Sequence, residues 1–213
     1  IVNNLVTAAT IAQIPRPRRP WLDELPNVID LFDLPFDDDT RVPLGLSDVP
    51  ERQTQQAAFF EPDTDGHILV YGTGGSGKST VLRSLATGFG ARPEVGPSAV
   101  YALDFGTGAL RPLERLPHVG SVIAGDDVER IQRLFRKLTE ELDRRGRLLS
   151  AENASSLSEY RRITGDTQMP RILLMIDGFA TFRQEWESQA VKSAFYSMFM
   201  RVLAEGRPLG IHI

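Results

Sequence analysis

Residues 67–80, HILVYGTGGSGKST, constrain this chain more than any other stretch. Residues 67–71 are mostly apolar and predict a buried strand. Residues 72–79 then match G-x-x-x-x-G-K-[ST] at each fixed position, and the residues from Thr80 onward predict the first turns of a helix. A strand, a glycine-rich loop and a helix in this order are typical of a loop that binds the phosphates of a nucleoside triphosphate.

The residue types in this loop suit that chemistry. Glycines let the backbone curl so that several N–H groups point at the β-phosphate, and the helix adds its positive amino end. We expect Lys78 to reach the β- and γ-phosphates and the Ser79 hydroxyl to ligate Mg²⁺. The predicted ATP-contacting residues in this segment are Gly72, Thr73, Gly74, Gly75, Ser76, Gly77, Lys78, Ser79 and Thr80.

A second apolar strand, residues 171–177 (RILLMID), ends in an acid and fits a Walker B strand. Asp177 would hold the magnesium through water, opposite Ser79. The predicted metal site is therefore Ser79 with Asp177, and the predicted cofactors are ATP and Mg²⁺. Asp104 and Gly106 follow another apolar strand, at the edge where open parallel sheets place their ligands.

The order of the remaining patterns predicts an α/β fold with a mainly parallel sheet. Short apolar segments alternate with segments of helical periodicity, as in parallel sheets whose strands are joined by helices. Strands are predicted at 98–104, 119–123 and 171–177, with a last one beginning at 208–213, and helices near 80–88, 128–149, 157–163 and 190–203. Residues 42–60 predict two strands with a turn at Ser47 and Asp48.

The amino-terminal part of the chain has a different character. Prolines and arginines near residue 16 predict a stiff linker, and an acidic, proline-broken stretch after it predicts an extended arm. The expected organisation is therefore an interdomain linker and arm at 1–41 and one ATPase domain at 42–213.

Composition excludes several classes of protein. The net charge of −4 gives no global basic field for nucleic acid, so no nucleic-acid partner is expected. Cys is absent, which excludes disulfides and thiolate metal sites. No apolar run approaches the ~18–20 residues that span a bilayer, and no signal peptide is recognisable.

Several further segments resemble the FtsK/SpoIIIE branch of RecA-like motor ATPases. They are LERLPHVGSVIAGDDVERI, ELDRRGRLL, SLSEYRR, ILLMIDGFATF and AEGRPLGIHI. Within that branch, VPLGLSDVPERQ, ALDFGTGALRPLERLPHVG and IDGFATFRQ look like a second or later ATPase domain of the type VII secretion ATPases EccC and EssC.

This resemblance implies a RecA-like three-layer sandwich, here truncated at the carboxyl-terminal end of its sheet. It also implies a protein with tandem ATPase domains on the cytoplasmic side of the cell membrane, anchored through parts absent from this chain. The implied partners are adjacent ATPase domains of the same chain, a secreted substrate peptide and a homo-hexamer. In the family the P-loop and the Walker B acid bind ATP–Mg²⁺, which corresponds here to residues 72–80 and Asp177.

One position departs from the family pattern. Active members carry a glutamate directly after the Walker B aspartate, where it orients the attacking water, and this chain has Gly178. Glu185 and Glu187 lie just past the strand, separated from Asp177 by several residues that are expected to form a loop, and are the candidate replacements. The expected function is ATP binding with weak or no hydrolysis, in support of a neighbouring active domain. Two alternatives stay open, an active DNA translocase module and a peptide-docking domain with an empty nucleotide site.

Overall fold

The computed structural model describes residues 1–15, 21–35, 40–91, 93 and 96–213. These residues form two compact units. One unit comprises Ile1–Ile29 with Leu46–Gln56, and the other comprises Asp30–Gly45 with Ala57–Ile213. Parts of the predicted linker and arm, residues 16–20 and 36–39, lie outside the described residues, so the domain boundary at 41/42 stays a prediction.

The described residues form the following helices and strands. The helices are α1 (Val2–Ile11), α2 (Pro62–Asp65), α3 (Lys78–Phe89), α4 (Val128–Ala151), α5 (Leu157–Thr164), α6 (Phe179–Ser188) and α7 (Ala190–Glu205). The strands are β1 (Val42–Val49), β2 (Thr54–Phe60), β3 (Ser98–Asp104), β4 (Val119–Ala124), β5 (Arg171–Asp177) and β6 (Ile211–His212). The first two strands form a separate two-stranded sheet.

The central sheet has the strand order β4-β3-β5-β6, and all its neighbouring strands are parallel. Asp104 pairs in register with Asp177, so two acids end adjacent strands at the carboxyl edge. Because all four strands run the same way, the loops after them converge on one side of the sheet. The predicted α/β class with a parallel sheet is confirmed.

Side chains alternate between the two faces of the sheet and create two cores. Val100, Leu173 and Met175 pack with α3 residues on one face. Leu103 and Leu174 pack with α4, α6 and α7 residues on the other. The result is a three-layer arrangement in which α3, and therefore the predicted phosphate loop, lies against the sheet. The α4 helix begins where the Asp127 side chain caps it by accepting a hydrogen bond from the Arg130 N–H.

Two buried arginines fix the elements at the amino end of the sheet. The Arg171 guanidinium, at the start of β5, donates to both carboxylate oxygens of Asp63 at 2.6 and 2.9 Å. The Arg145 guanidinium, on α4, donates to the carbonyls of Leu209 and Gly210 just before β6. Each arginine side chain is almost fully buried, so each depends on these acceptors to offset its desolvation.

The predicted strand at residues 67–71 is not part of the sheet. This segment runs beside β6, where the Ile68 N–H donates to the Ile213 carbonyl at 2.9 Å. Leu69 and Tyr71 are 57% and 84% exposed, so the segment is also less buried than its apolar residues predicted. A regular strand needs a ladder of paired residues, and β6 is only two residues long beside it.

Two local predictions were wrong in detail. The turn between β1 and β2 lies at 50–53, not at Ser47 and Asp48, because Pro50 opens a short 3₁₀ turn and Gln53 adopts a positive φ of 47°. The residues that separate Asp177 from Glu185 and Glu187 do not form a loop but belong mostly to the helix α6, which also contains both glutamates.

Candidate functional site

The glycine-rich loop joins the 67–71 segment to the amino end of α3. Gly75 and Gly77 have φ values of 77° and 89°, in the left-handed region that favours glycine. A Cβ at Gly72 would overlap the Ser76 hydroxyl, which would have to rotate away. The glycines therefore allow the tight curl by which such a loop directs its backbone N–H groups toward an anion.

Lys78, the first residue of α3, folds back over the loop. Its ammonium donates to the carbonyls of Gly72 at 3.0 Å and Thr73 at 2.6 Å. The first turn of α3 holds no acidic residue. The loop therefore combines a positive side chain with the positive end of a helix, which is the electrostatic environment that a phosphate chain requires.

The Walker B candidate lies beside the second residue of α3. The Ser79 hydroxyl donates to the Asp177 carboxylate at 2.7 Å, although the two residues are 98 positions apart. A hydroxyl and a carboxylate at this separation supply the hard oxygen ligands that Mg²⁺ prefers. The side chains present therefore fit a magnesium ion held between α3 and β5, with its remaining ligands from water and phosphate.

Asp104, the other acid at this edge of the sheet, forms hydrogen bonds with backbone N–H groups. Its carboxylate accepts hydrogen bonds from the N–H groups of Gly106, Gly108 and Leu110 at 3.0–3.2 Å, and the residue is buried. These bonds fix the loop at 105–110 as a compact unit. The loop is also tied to the Walker B strand, because the Phe105 N–H donates to the Asp177 carbonyl at 2.9 Å.

Gly178 follows Asp177 and has no space for a side chain. It adopts φ 77° and ψ 40° as it opens α6. A Cβ at this position would lie 3.0 Å from the carbonyl carbon and 3.1 Å from the carbonyl oxygen of Phe105. Glycine at position 178 therefore avoids both a strained left-handed conformation and a tight contact with the 105–110 loop.

Neither candidate replacement lies in the cavity beside the phosphate loop. Glu185 lines a separate cleft of about 560 Å³ beyond the 105–110 loop and pairs with the Lys192 ammonium at 3.3 Å. Glu187 pairs with Arg183 on the exposed side of α6 at 2.8 Å. The structure thus brings Ser79 and Asp177 together but places both glutamates elsewhere.

A cavity of about 540 Å³ extends from the phosphate loop along the edge of β5. Segment 67–72 forms one wall, and residues 173–180 form the other. Lys78 and Asp177 lie in its lining, which is otherwise mostly apolar. The cavity therefore joins the phosphate-binding loop to an apolar space, and sequence patterns gave no sign of it because it depends on how far two segments diverge.

The described residues lack two other kinds of feature. No group of three or more His, Asp or Glu side chains converges as a metal site in these parts of the chain. Within the same residues no helix is both long enough and apolar enough to cross a membrane.

A sequence model of the FtsK/SpoIIIE family matches residues 37–213. The chain belongs to this family. The type VII secretion system protein EssC of Staphylococcus aureus is 30% identical over 223 aligned positions, which cover 100% of this chain and 15% of EssC. The ESX secretion system protein EccC of Geobacillus thermodenitrificans is 26% identical and is matched over 14% of its length. The FtsK/SpoIIIE domain described here thus spans about a seventh of these relatives.

Solved structures agree with this family assignment. EssC (ATPases 2 and 3) from Geobacillus thermodenitrificans superposes with a TM-score of 0.69 at 27% identity, over 92% of this chain and 35% of that one. Thermomonospora curvata EccC (ATPases 2 and 3) in complex with a signal sequence peptide gives 0.68 at 31% identity, over 82% and 31%. These similarities confirm the RecA-like fold that the sequence predicted.

Proposed function

We propose that this domain binds ATP with Mg²⁺ at residues 72–80 and Asp177. One observation carries the proposal, the 2.7 Å contact between the Ser79 hydroxyl and the Asp177 carboxylate beside the Lys78 ammonium. A phosphate-binding loop without the acid, or an acid without the loop, would not bind a metal–nucleotide complex. Membership in a P-loop ATPase family supports the same cofactors.

Each residue has a separate task in this proposal. The loop N–H groups and Lys78 bind the phosphates, and Lys78 exchanges its two carbonyl acceptors for phosphate oxygens. Ser79 and Asp177 hold Mg²⁺, which neutralises charge on the phosphates when bound. Asp104 has a supporting task in this proposal, since its carboxylate accepts three backbone hydrogen bonds that fix the 105–110 loop.

We further propose that hydrolysis is weak or absent. In-line attack on the γ-phosphate needs a water held by a carboxylate or amide, and loss of a general base costs about 10²–10⁴ in rate. Position 178 has no side chain, and neither Glu185 nor Glu187 lines the cavity that contains Lys78 and Asp177. The domain would then support or regulate a neighbouring active domain.

The proposed setting follows from the relatives. The similar EssC and EccC structures contain ATPases 2 and 3 in one chain, so adjacent ATPase domains are the proposed partners. Assembly into a hexamer and a position on the cytoplasmic side of the cell membrane are part of the same proposal. In this setting, bound ATP would fix the conformation of the domain instead of driving it through a cycle.

The test is calorimetric titration with ATP–Mg²⁺, paired with a phosphate-release assay. We expect saturable binding that Lys78→Ala weakens strongly and Lys137→Ala leaves unchanged. Lys137 is the matched control because it is an exposed lysine on α4, away from the loop. Hydrolysis at motor-like rates that Lys78→Ala abolishes would refute weak turnover, and absence of any binding would refute the nucleotide site.

Peptide docking is a second candidate function, favoured by the apolar lining of the 540 Å³ cavity. The EccC structure with a signal sequence peptide shows that a relative binds such a ligand. A substrate peptide that binds this domain in the absence of nucleotide, together with no heat change on ATP–Mg²⁺ addition, would favour this candidate over the first.

A further inference from the structure

Arg83 is an exposed side chain on α3 close to the phosphate loop. Its guanidinium donates to the Thr80 hydroxyl at 3.4 Å, a long hydrogen bond between two exposed side chains. No residue in the described parts of the chain forms an ion pair with Arg83. A cation therefore lies one helical turn beyond the phosphate loop with only a weak neutral partner.

Helix geometry directs this cation toward the loop. Residues three apart on a helix share a face, so Arg83 lies directly behind Thr80. Helical side chains lean toward the amino end, so the guanidinium extends back over the first turn of α3. The Thr80–Arg83 hydrogen bond is direct evidence of that orientation.

The two sides of the first turn have different surroundings. Ser79 faces Asp177 and the end of β5, where the proposed magnesium and the γ-phosphate would lie. Thr80 is rotated by about 100° around the helix axis and is exposed. A phosphate chain whose γ end lies between Ser79 and Asp177 must leave the loop at its other end, toward the nucleoside. Thr80 and Arg83 lie on the solvent-exposed side of α3, and the nucleoside end of the phosphate chain would pass along this side.

The local charge favours an anion at this place. The sequence of α3, KSTVLRSLATGF, contains Lys78 and Arg83 but no acidic residue. Lys78 lies in the first turn, where the helix dipole is also positive, and Arg83 lies in the second turn. A guanidinium without an acidic partner, next to a phosphate-binding loop, has free donors suited to phosphate oxygens.

We propose that Arg83 binds the α-phosphate of the nucleotide and raises affinity for ATP and ADP alike. This inference rests on the proposed function, because it requires a nucleotide in the loop. Lys78 and Ser79 would contact the β- and γ-phosphates or their metal ion. Arg83 would contact the α-phosphate, which ATP and ADP both contain. Arg83 is thus a binding residue that the loop motif does not include.

The experiment compares dissociation constants for ATP–Mg²⁺ and ADP–Mg²⁺ in the wild type, Arg83→Ala, Arg83→Lys and Arg147→Ala. Arg147 is an exposed arginine on α4 and removes the same charge away from the loop. We expect Arg83→Ala to weaken both nucleotides about tenfold, as for a lost hydrogen bond to a charged group, with the ratio of the two constants unchanged. Arg147→Ala should lie within twofold of the wild type, and Arg83→Lys between the wild type and Arg83→Ala.

Three results would overturn the inference while leaving the nucleotide site intact. Wild-type affinity in Arg83→Ala would show that the side chain makes no contact. A loss confined to ATP would place the guanidinium at the γ-phosphate instead. Equal losses of nucleotide affinity in Arg83→Ala and Arg147→Ala would show that the change arises from the net charge of the domain and not from a contact of Arg83. If the wild type binds neither nucleotide, the proposed function and this inference fall together. Equal melting temperatures of the variants would show that each one is folded.

Discussion

A glutamate introduced at Gly178 should destabilise the domain and fail to produce an active ATPase. Gly178 holds φ 77° and ψ 40°, and a non-glycine residue in this region costs about 1–2 kcal/mol. The new Cβ would also press on the Phe105 backbone at 3.0–3.1 Å. Overpacking of this kind costs about 1–3 kcal/mol.

The neighbouring backbone has little freedom to move away. The Phe105 N–H donates a hydrogen bond to the Asp177 carbonyl. Three further N–H groups of the loop that follows donate to the Asp104 carboxylate and fix the loop. The two costs therefore add, and we expect Gly178→Glu to lower the free energy of unfolding by about 2–5 kcal/mol.

Urea denaturation followed by circular dichroism measures this change. Gly178→Ala should be destabilised by a similar amount, because the effect arises from the Cβ and not from the charge. Gly146→Ala is the control, since its Cβ would meet no atom within 4 Å inside α4, and it should be neutral or stabilising by up to about 1 kcal/mol. Rapid ATP hydrolysis by Gly178→Glu with unchanged stability would refute the reasoning.

Three further predictions concern buried polar groups. His212 is fully buried and burial lowers its pKa from 6.5 to about 4, so the unfolded chain binds the proton more tightly. Stability should therefore be complete above pH 6.5 and fall by about 3 kcal/mol as the pH drops to 4, and in urea titrations His212→Gln should lack this component. Asp63→Ala should cost about 3–5 kcal/mol because it removes the carboxylate paired with buried Arg171, whereas exposed Glu140→Ala should change the urea midpoint little. Asp104→Ala should speed hydrogen exchange at the Gly106, Gly108 and Leu110 amides, and unchanged protection would contradict the anchoring role of Asp104.

The sequence predicted β3 and β5 with the bounds that the structure shows, because each is a short apolar run that ends in an acid. The sequence also predicted that Asp177 lies opposite Ser79. The loop motif and the Walker B strand each have a fixed place in a parallel sheet, and the structure shows the two side chains in contact. The local residue pattern was sufficient to predict these parts of the site when combined with one rule, that the loops after parallel strands converge at one edge of the sheet.

Features that depend on distant neighbours could not be predicted. The 67–71 segment has the apolar composition of a strand, but its pairing depends on how much of β6 lies beside it. His67 and His212 are far apart in the sequence, yet their ring centroids lie 6.4 Å apart because the 67–71 segment runs beside β6. The crowding between Gly178 and Phe105 is likewise a contact between loops, for which no residue pattern exists.

The position of Lys78 has a consequence for selectivity. The ammonium that would bind phosphate is already shared between two carbonyls of its own loop, at 3.0 and 2.6 Å. An anion must therefore displace these carbonyl acceptors before it can pair with the Lys78 ammonium. A chloride ion or a single inorganic phosphate would offer few contacts in return, whereas a nucleotide bound as proposed would contact the loop amides, the lysine and the metal ligands together. If the loop binds nucleotide as proposed, these internal contacts of Lys78 would favour a long polyphosphate over small anions.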